Sequence, residues 1–165
     1  SQLALGDALA IATMKYKKFG KLDFKKLHPA GSLGAQLKTV EDIMVTGNKI
    51  PFVSENLKTS KALKILSEKN LGILVVRDKT NKTKGIITDG QIRRVSQKNT
   101  NFQSLKVKEI MTKKPIFIDK NILAAKALAL MNNKKITSLL VCNKKKPLFT
   151  IGVIHVHTIL QSNIS

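Results

Sequence analysis

Three histidines supply the imidazoles of this chain, and their settings differ. His28 opens the segment His28-Pro29-Ala30-Gly31-Ser32-Leu33-Gly34, a tight loop with glycines close by. An imidazole there, with an ordinary pKa of about 6.5, suits proton transfer. The alternative is that it caps the loop by hydrogen bonding. His155 and His157 stand two residues apart. That spacing puts them on opposite faces of a strand, or about 200° apart on a helix, so one metal ion is hard to share. No carboxylate lies near them in sequence, and no metal site is expected. Cys142 is the single cysteine, which excludes an intramolecular disulfide and a cysteine-based zinc cluster. It follows Val141 at the end of a predicted strand and reads as a small core residue. Met44 and Met111 read as core fillers.

Lysine and arginine total 30 against 10 acids, a net charge of +20. The excess is spread along the chain: 6 basic and 2 acidic groups in residues 1–37, 13 and 6 in 38–103, 11 and 2 in 104–165. No DNA- or RNA-binding motif accompanies the charge, and aromatics are only 4% of the chain, so stacking platforms are scarce. Lysines solvated on every face explain the balance better than nucleic-acid binding does. The field still attracts anionic metabolites over about 8 Å in physiological salt. The hydrophobic share of 42% permits a packed core, which the shortage of aromatics makes aliphatic. The apolar runs are too short for a membrane span, and the first residues lack the basic start of a signal peptide. A chain that opens without Met directly into helix-like sequence reads as a cut within a longer protein.

The elements that must position these side chains come in duplicate. Val40-Glu41-Asp42-Ile43-Met44 matches Val107-Lys108-Glu109-Ile110-Met111 at an offset of 67. Ile50-Pro51-Phe52-Val53 resembles Pro115-Ile116-Phe117-Ile118, and Leu74-Val75-Val76 matches Leu139-Leu140-Val141, both at 65. Gly85-Ile86-Ile87 matches Gly152-Val153-Ile154, again at 67. Each repeat predicts β-α-β-β-α. A brief strand lies near 50–53 or 116–118. An amphipathic helix follows, capped in the first repeat by Thr59 or Ser60 and spanning about 122–133 in the second. A strand at 73–77 or 138–142 then turns through 78–84 or 143–147 into a second strand at 85–88 or 150–154. A last helix begins near Asp89 or His155. Polar residues 99–104 link the repeats. Residues 1–37 stand outside the repeat, with a helix over 3–19 ended by Gly20 and a short turn capped by Asp23.

The repeat resembles the CBS domain, on the β-α-β-β-α order, the openings Asp42-Ile43-Met44 and Glu109-Ile110-Met111, and the segment Gly85-Ile86-Ile87-Thr88-Asp89-Gly90. The resemblance implies an α/β (α+β) fold: a tandem pair with pseudo-twofold symmetry whose clefts take adenosine nucleotides or related ligands. Leu5-Gly6-Asp7-Ala8-Leu9-Ala10, Asp23-Phe24 and the loop at 28–34 resemble the end of the sugar isomerase (SIS) domain in arabinose-5-phosphate isomerases, where a SIS domain precedes a CBS pair. Thr88-Asp89-Gly90-Gln91-Ile92-Arg93-Arg94 and Gly152-Val153-Ile154-His155-Val156-His157 are similar to stretches of that family's two CBS domains. The implied organisation is a helical SIS remnant at 1–37 and CBS domains at 38–98 and 105–165. The implied parent reaction interconverts ribulose 5-phosphate and arabinose 5-phosphate for Kdo and lipopolysaccharide biosynthesis in the cytoplasm. His28 then reaches the parent's active site, and this piece alone is expected to be inactive.

The resemblance also implies a site. Its usual design places a hydroxyl at a strand end where a helix begins, to hold phosphate with free backbone N–H groups, and a carboxylate three residues later to take both ribose hydroxyls. Thr88 fits the first role, but position 91 is Gln; the matching positions of the second repeat are His155 and Thr158. A hydrogen bond to a charged group contributes about 1.5–3 kcal/mol against about 1 for a neutral one, so AMP or ATP is expected to bind weakly. Lys49, Arg93, Lys114, Ser138, His155 and His157, with Thr88, Gln91 and Thr158, leave an anion-friendly cleft suited to an acidic sugar nucleotide such as CMP-Kdo. No cofactor is required. The pair is expected to form a homodimer, within a tetramer in the full enzyme. The alternatives are an oligomerisation module without ligand and a basic nucleic-acid-binding protein.

Overall fold

The computed structural model describes residues 32–164. The predicted helix at 3–19 and His28 lie outside the described residues. Chain order runs α1 (Ser32–Gln36), α2 (Val40–Ile43), β1 (Phe52–Ser54), α3 (Thr59–Lys69), β2 (Ile73–Arg77), β3 (Thr83–Thr88) and α4 (Asp89–Lys98). The second half follows as α5 (Val107–Ile110), β4 (Thr112–Lys113), β5 (Phe117–Asp119), α6 (Ala124–Lys134), β6 (Ser138–Cys142), β7 (Gly152–His155) and α7 (Val156–Gln161). The order β-α-β-β-α appears in both halves, as the repeated sequence blocks imply. A 3-10 turn at Phe102–Ser104 buries Phe102 within the otherwise polar linker.

Two sheets carry the fold. One has the order β1-β2-β3-β4, the other β5-β6-β7. In each, the first pair is parallel and the hairpin antiparallel. The middle strands are buried on both faces, which is why Ile73-Leu74-Val75-Val76 and Leu139-Leu140-Val141 are continuous apolar runs. Alternate side chains serve different cores. Leu74, Val76 and Ile87 join Ala62 and Leu66 of α3 in one helix-side core. Leu139, Val141 and Ile154 join Ala127, Leu128 and Met131 of α6 in the other. Ile73, Val75, Leu140 and Val153 point between the sheets and make a third cluster shared by both halves. Thr83 and Thr150, equivalent positions of the two repeats, meet through a buried hydroxyl–hydroxyl bond of 2.6 Å. A contact between equivalent residues marks the pseudo-twofold axis.

The openings of the repeats are exchanged. Val40, with Ile43 and Met44, packs into the core of the second half, and Val107, Ile110 and Met111 pack into the core of the first. Backbone bonds fix the exchange twice over: Val40 N to Ile122 O (2.8 Å) and Ala124 N to Lys38 O (2.9 Å) on one side, Val107 N to Leu57 O and Thr59 N to Leu105 O (both 2.8 Å) on the other. Each opening is a single helical turn whose first orphan N–H is accepted by an acid three residues on. Thr39 N donates to Asp42 at 2.7 Å, and Lys106 N donates to Glu109 at 2.7 Å. After its Met, each opening pairs with the opposite sheet: Val45 bridges Val153, and β4 extends β3. The two methionines therefore fill core space, as their types suggest, but in the partner repeat.

Two local expectations change. Lys58, not Thr59 or Ser60, is the N-cap of α3, because the Thr59 hydroxyl is spent on Leu105 O at 2.9 Å. The last hairpin strand begins at Gly152, since the 143–151 turn is longer and reaches across to the first repeat, where Leu148 O accepts from Thr83 N at 2.9 Å.

Candidate ligand-binding cleft

A cleft of about 460 Å³ opens where the two halves meet. Its first wall is the end of β3 and the start of α4, with Thr88, Asp89, Gly90 and Arg94. Thr88 is the N-cap of α4, its hydroxyl accepting from Gln91 N at 3.3 Å. Gly72 has φ +69 and lines the cleft beside this start; a Cβ there would come within 3.2 Å of Asp89 Oδ2. Glycine therefore lets β2 begin hard against the helix N-terminus. The second wall is the exchanged arm after α5, with Thr112, Lys114, Pro115 and Ile116. The third comes from the second repeat: Lys135, Ile136, Thr137, Ser138, Leu140 and His155. Lys114 and Lys135 both have left-handed backbone, φ 59 and 56, where the chain turns sharply into β5 and β6.

The chemistry divides by depth. Ile73, Ile86, Ile136 and Leu140 make an apolar floor, and Arg94, Lys114 and Lys135 make a cationic wall against the single acid Asp89. His155 is half-buried and caps α7, its Nδ1 accepting from His157 N at 3.1 Å. An acceptor Nδ1 puts the proton on Nε2, so the neutral ring keeps Nε2–H as a donor. Burial, and then the charge of His157, push its pKa below the usual value. The two rings stack, centroids 4.9 Å apart, instead of lying on opposite faces. The reason is the junction: His155 ends β7 and His157 lies in the first turn of α7, so neither a pure strand nor a pure helix sets the angle between them. Among the described residues no group of three or more His, Cys, Asp or Glu could hold a metal ion. Cys142 is buried, and burial pushes its thiol up.

Of the residues singled out from the sequence, Thr88, Lys114, Ser138 and His155 line this cleft together. Lys49 lines a separate depression of about 310 Å³ with Val45, Asn48, Glu68, Lys69 and Leu71, near the equivalent arm of the first repeat. Arg93 is exposed on α4 while its neighbour Arg94 faces the cleft. His157 is exposed and Thr158 half-buried, and neither lines the cleft. Gln91 is buried, its side-chain amide holding Ile110 O and accepting from the Thr112 hydroxyl at 2.9 Å. Arg94, Lys135 and Thr112 escaped the sequence reading. A 100° step around α4 separates Arg93 from Arg94, a difference that the helical period could have shown.

A duplicated β-α-β-β-α unit with exchanged openings and a cleft at the seam defines a CBS domain pair, and the chain belongs to the CBS domain family, which matches residues 40–98 and 107–164. Over 163 residues, 98% of this chain, it is 40% identical to arabinose 5-phosphate isomerase KdsD of Yersinia pestis, covering 49% of that protein. The chain spans about half the length of the curated relatives it matches. Solved structures with the same fold include CBSX2 in complex with AMP, 20% identical with a TM-score of 0.65 over 76% of this chain and 95% of that one. Another is a CBS domain pair in complex with methylthioadenosine and S-adenosyl-L-methionine, 22% identical with a TM-score of 0.66 over 76% and 94%. No helix among the described residues is long and apolar enough to cross a membrane.

Proposed function

We propose that this chain is the regulatory, ligand-binding part of an arabinose-5-phosphate isomerase, and that its cleft takes a small anionic metabolite, a sugar nucleotide in preference to AMP. The observation that carries the reading is the pairing of an apolar floor with three cations, Arg94, Lys114 and Lys135, around the N-terminus of α4. A flat or apolar ring suits the floor, and a phosphate or carboxylate suits the cations and the first amides of the helix. The adenosine ligands of the two structural relatives make a nucleotide-sized occupant reasonable. No carboxylate stands where the ribose grip is expected: position 91 is an amide already engaged within the protein, and position 158 is a threonine. An acidic sugar nucleotide such as CMP-Kdo, the end of the pathway that the isomerase would feed, matches the charge. In the whole enzyme a SIS domain would precede the pair, His28 would belong to its active site, and pairs would associate as dimers within a tetramer.

Calorimetric titration of the chain with AMP, ATP and CMP-Kdo tests the ligand. CMP-Kdo should bind more tightly than AMP, and Arg94→Ala with Lys114→Ala should weaken it by tenfold or more, about the scale of one charged hydrogen bond. Tight AMP binding without CMP-Kdo binding rejects the preference. For regulation, the whole enzyme is assayed with and without residues 38–165. Ligand should change activity only when the pair is present.

A further inference from the structure

We propose that Gln91 is a positioning residue that makes the cleft and the arm exchanged between the repeats one mechanical unit, so that ligand binding reports on how the halves are joined. The inference rests on the cleft being the ligand site. The arm leaves the second repeat at α5, buries Val107 and Ile110 in the first core, and adds β4 to β3 at Gly85 and Ile86. It then contributes Thr112 and Lys114 to the cleft before returning as β5. Gln91 holds this crossing at two points. Its Nε2 donates to Ile110 O, and its Oε1 accepts from the Thr112 hydroxyl. Its own backbone N–H is held by the hydroxyl of Thr88, on the opposite wall. One buried residue thus joins Thr88 and Thr112, both of which line the cleft.

An amide does this at neutral pH and an ionised carboxylate does not. The side chain must donate to a carbonyl and accept from a hydroxyl at once, and a carboxylate has no proton for the first bond. The tie is also one-sided. The equivalent residue of the second repeat is Thr158, whose short side chain offers a single hydroxyl. The corresponding arm is held by the backbone pair of Val45 and Val153. Ligand held by Thr88, Thr112 or Lys114 therefore tightens the arm entering the first sheet, and a loosened arm weakens ligand.

The test uses the 165-residue chain with CMP-Kdo, AMP and ATP as probes, and hydrogen exchange at the amides of β4. Gln91→Leu should speed β4 exchange without ligand and weaken the probe that binds by about tenfold, the scale of one or two buried hydrogen bonds. Thr158→Val should do neither. Gln91→Glu should bind weakly at about pH 8 and recover relative to wild type at about pH 5, because burial at this position raises the carboxyl above its usual range and the protonated form restores the donor. Unchanged β4 exchange and affinity in Gln91→Leu overturn the inference, as does a Gln91→Glu defect that is the same at both pH values. If Gln91→Leu does not fold, the Gln91→Glu comparison decides. Failure of every probe to bind wild type overturns the ligand reading, while the β4 exchange still tests the latch itself.

Discussion

His155 shows how one side chain can carry a pH dependence for the fold. Its Nδ1 accepts the first free amide of α7, and only the neutral ring can do so. The folded state lowers its pKa, by burial first and then by His157. The unfolded chain therefore binds the proton more readily, and stability rises with pH through this group. Its contribution is complete above the unfolded value of about 6.5 and is lost as pH falls through the lowered folded value. His155→Asn keeps a carbonyl acceptor for the cap and removes the titration. Wild type should lose melting temperature between about pH 7.5 and pH 5.5, and the Asn variant should lose less; equal losses would show that other groups dominate. The sequence reading reached this region without its geometry. The family resemblance picked out Thr88, Lys114, Ser138 and His155 as polar candidates, and the cleft gathers them. Types alone did not show that Gln91 faces inward to Ile110 and Thr112, or that Arg94 takes the position expected of Arg93, because both depend on the rotation of α4 against an arm from the other repeat.

At the scale of elements, the order of strands and helices was legible because duplication supplied it twice, with turn residues and apolar runs at matching places. The exchange of openings was not. Val40 and Val107 look the same in sequence whichever core they join, and only the long-range backbone pairs decide. Two glycines record the exchange. A Cβ on Gly85 would meet the Thr112 carbonyl oxygen at 2.6 Å and Met111 Sδ at 2.8 Å, and one on Gly152 would meet Met44 Sδ and, at 2.9 Å, Met44 Cγ. Each strand lacks a side chain where the opposite arm crosses it. The two sites differ in what must give way. Backbone blocks Gly85, held within β3 and β4, whereas a flexible methionine blocks Gly152. Gly85→Ala should cost about 1–3 kcal/mol, as overpacking does, and Gly152→Ala should cost less. Adding Met44→Ala should offset part of the Gly152→Ala loss, a coupling that a double-mutant cycle in urea measures. Equal costs at the two glycines, with no coupling to Met44, would deny that the arms are what the glycines accommodate.

For the whole molecule, exchange has a consequence for cooperativity. Neither half contains its own complete core: Val40 closes the second and Val107 the first, both with no exposed surface. The cluster of Ile73, Val75, Leu140 and Val153 belongs to both halves, and so does the buried Thr83–Thr150 contact. Pulling one repeat away would uncover three apolar faces and strand the backbone groups that the openings satisfy, so partial unfolding gains little chain entropy for a large loss of burial. Chemical unfolding should then be a single transition, the same by circular dichroism and by amide exchange of β2 and β6. Val40→Ala and Val107→Ala should each move that one midpoint, by on the order of 2 kcal/mol, without splitting it. Val40 lies in the first repeat by sequence, yet its substitution should raise exchange first around α6 and β6, in the second. Separate midpoints for the two halves, or a Val40→Ala effect confined to α3 and β2, would show that the repeats fold as independent units and that the exchanged arms only decorate them.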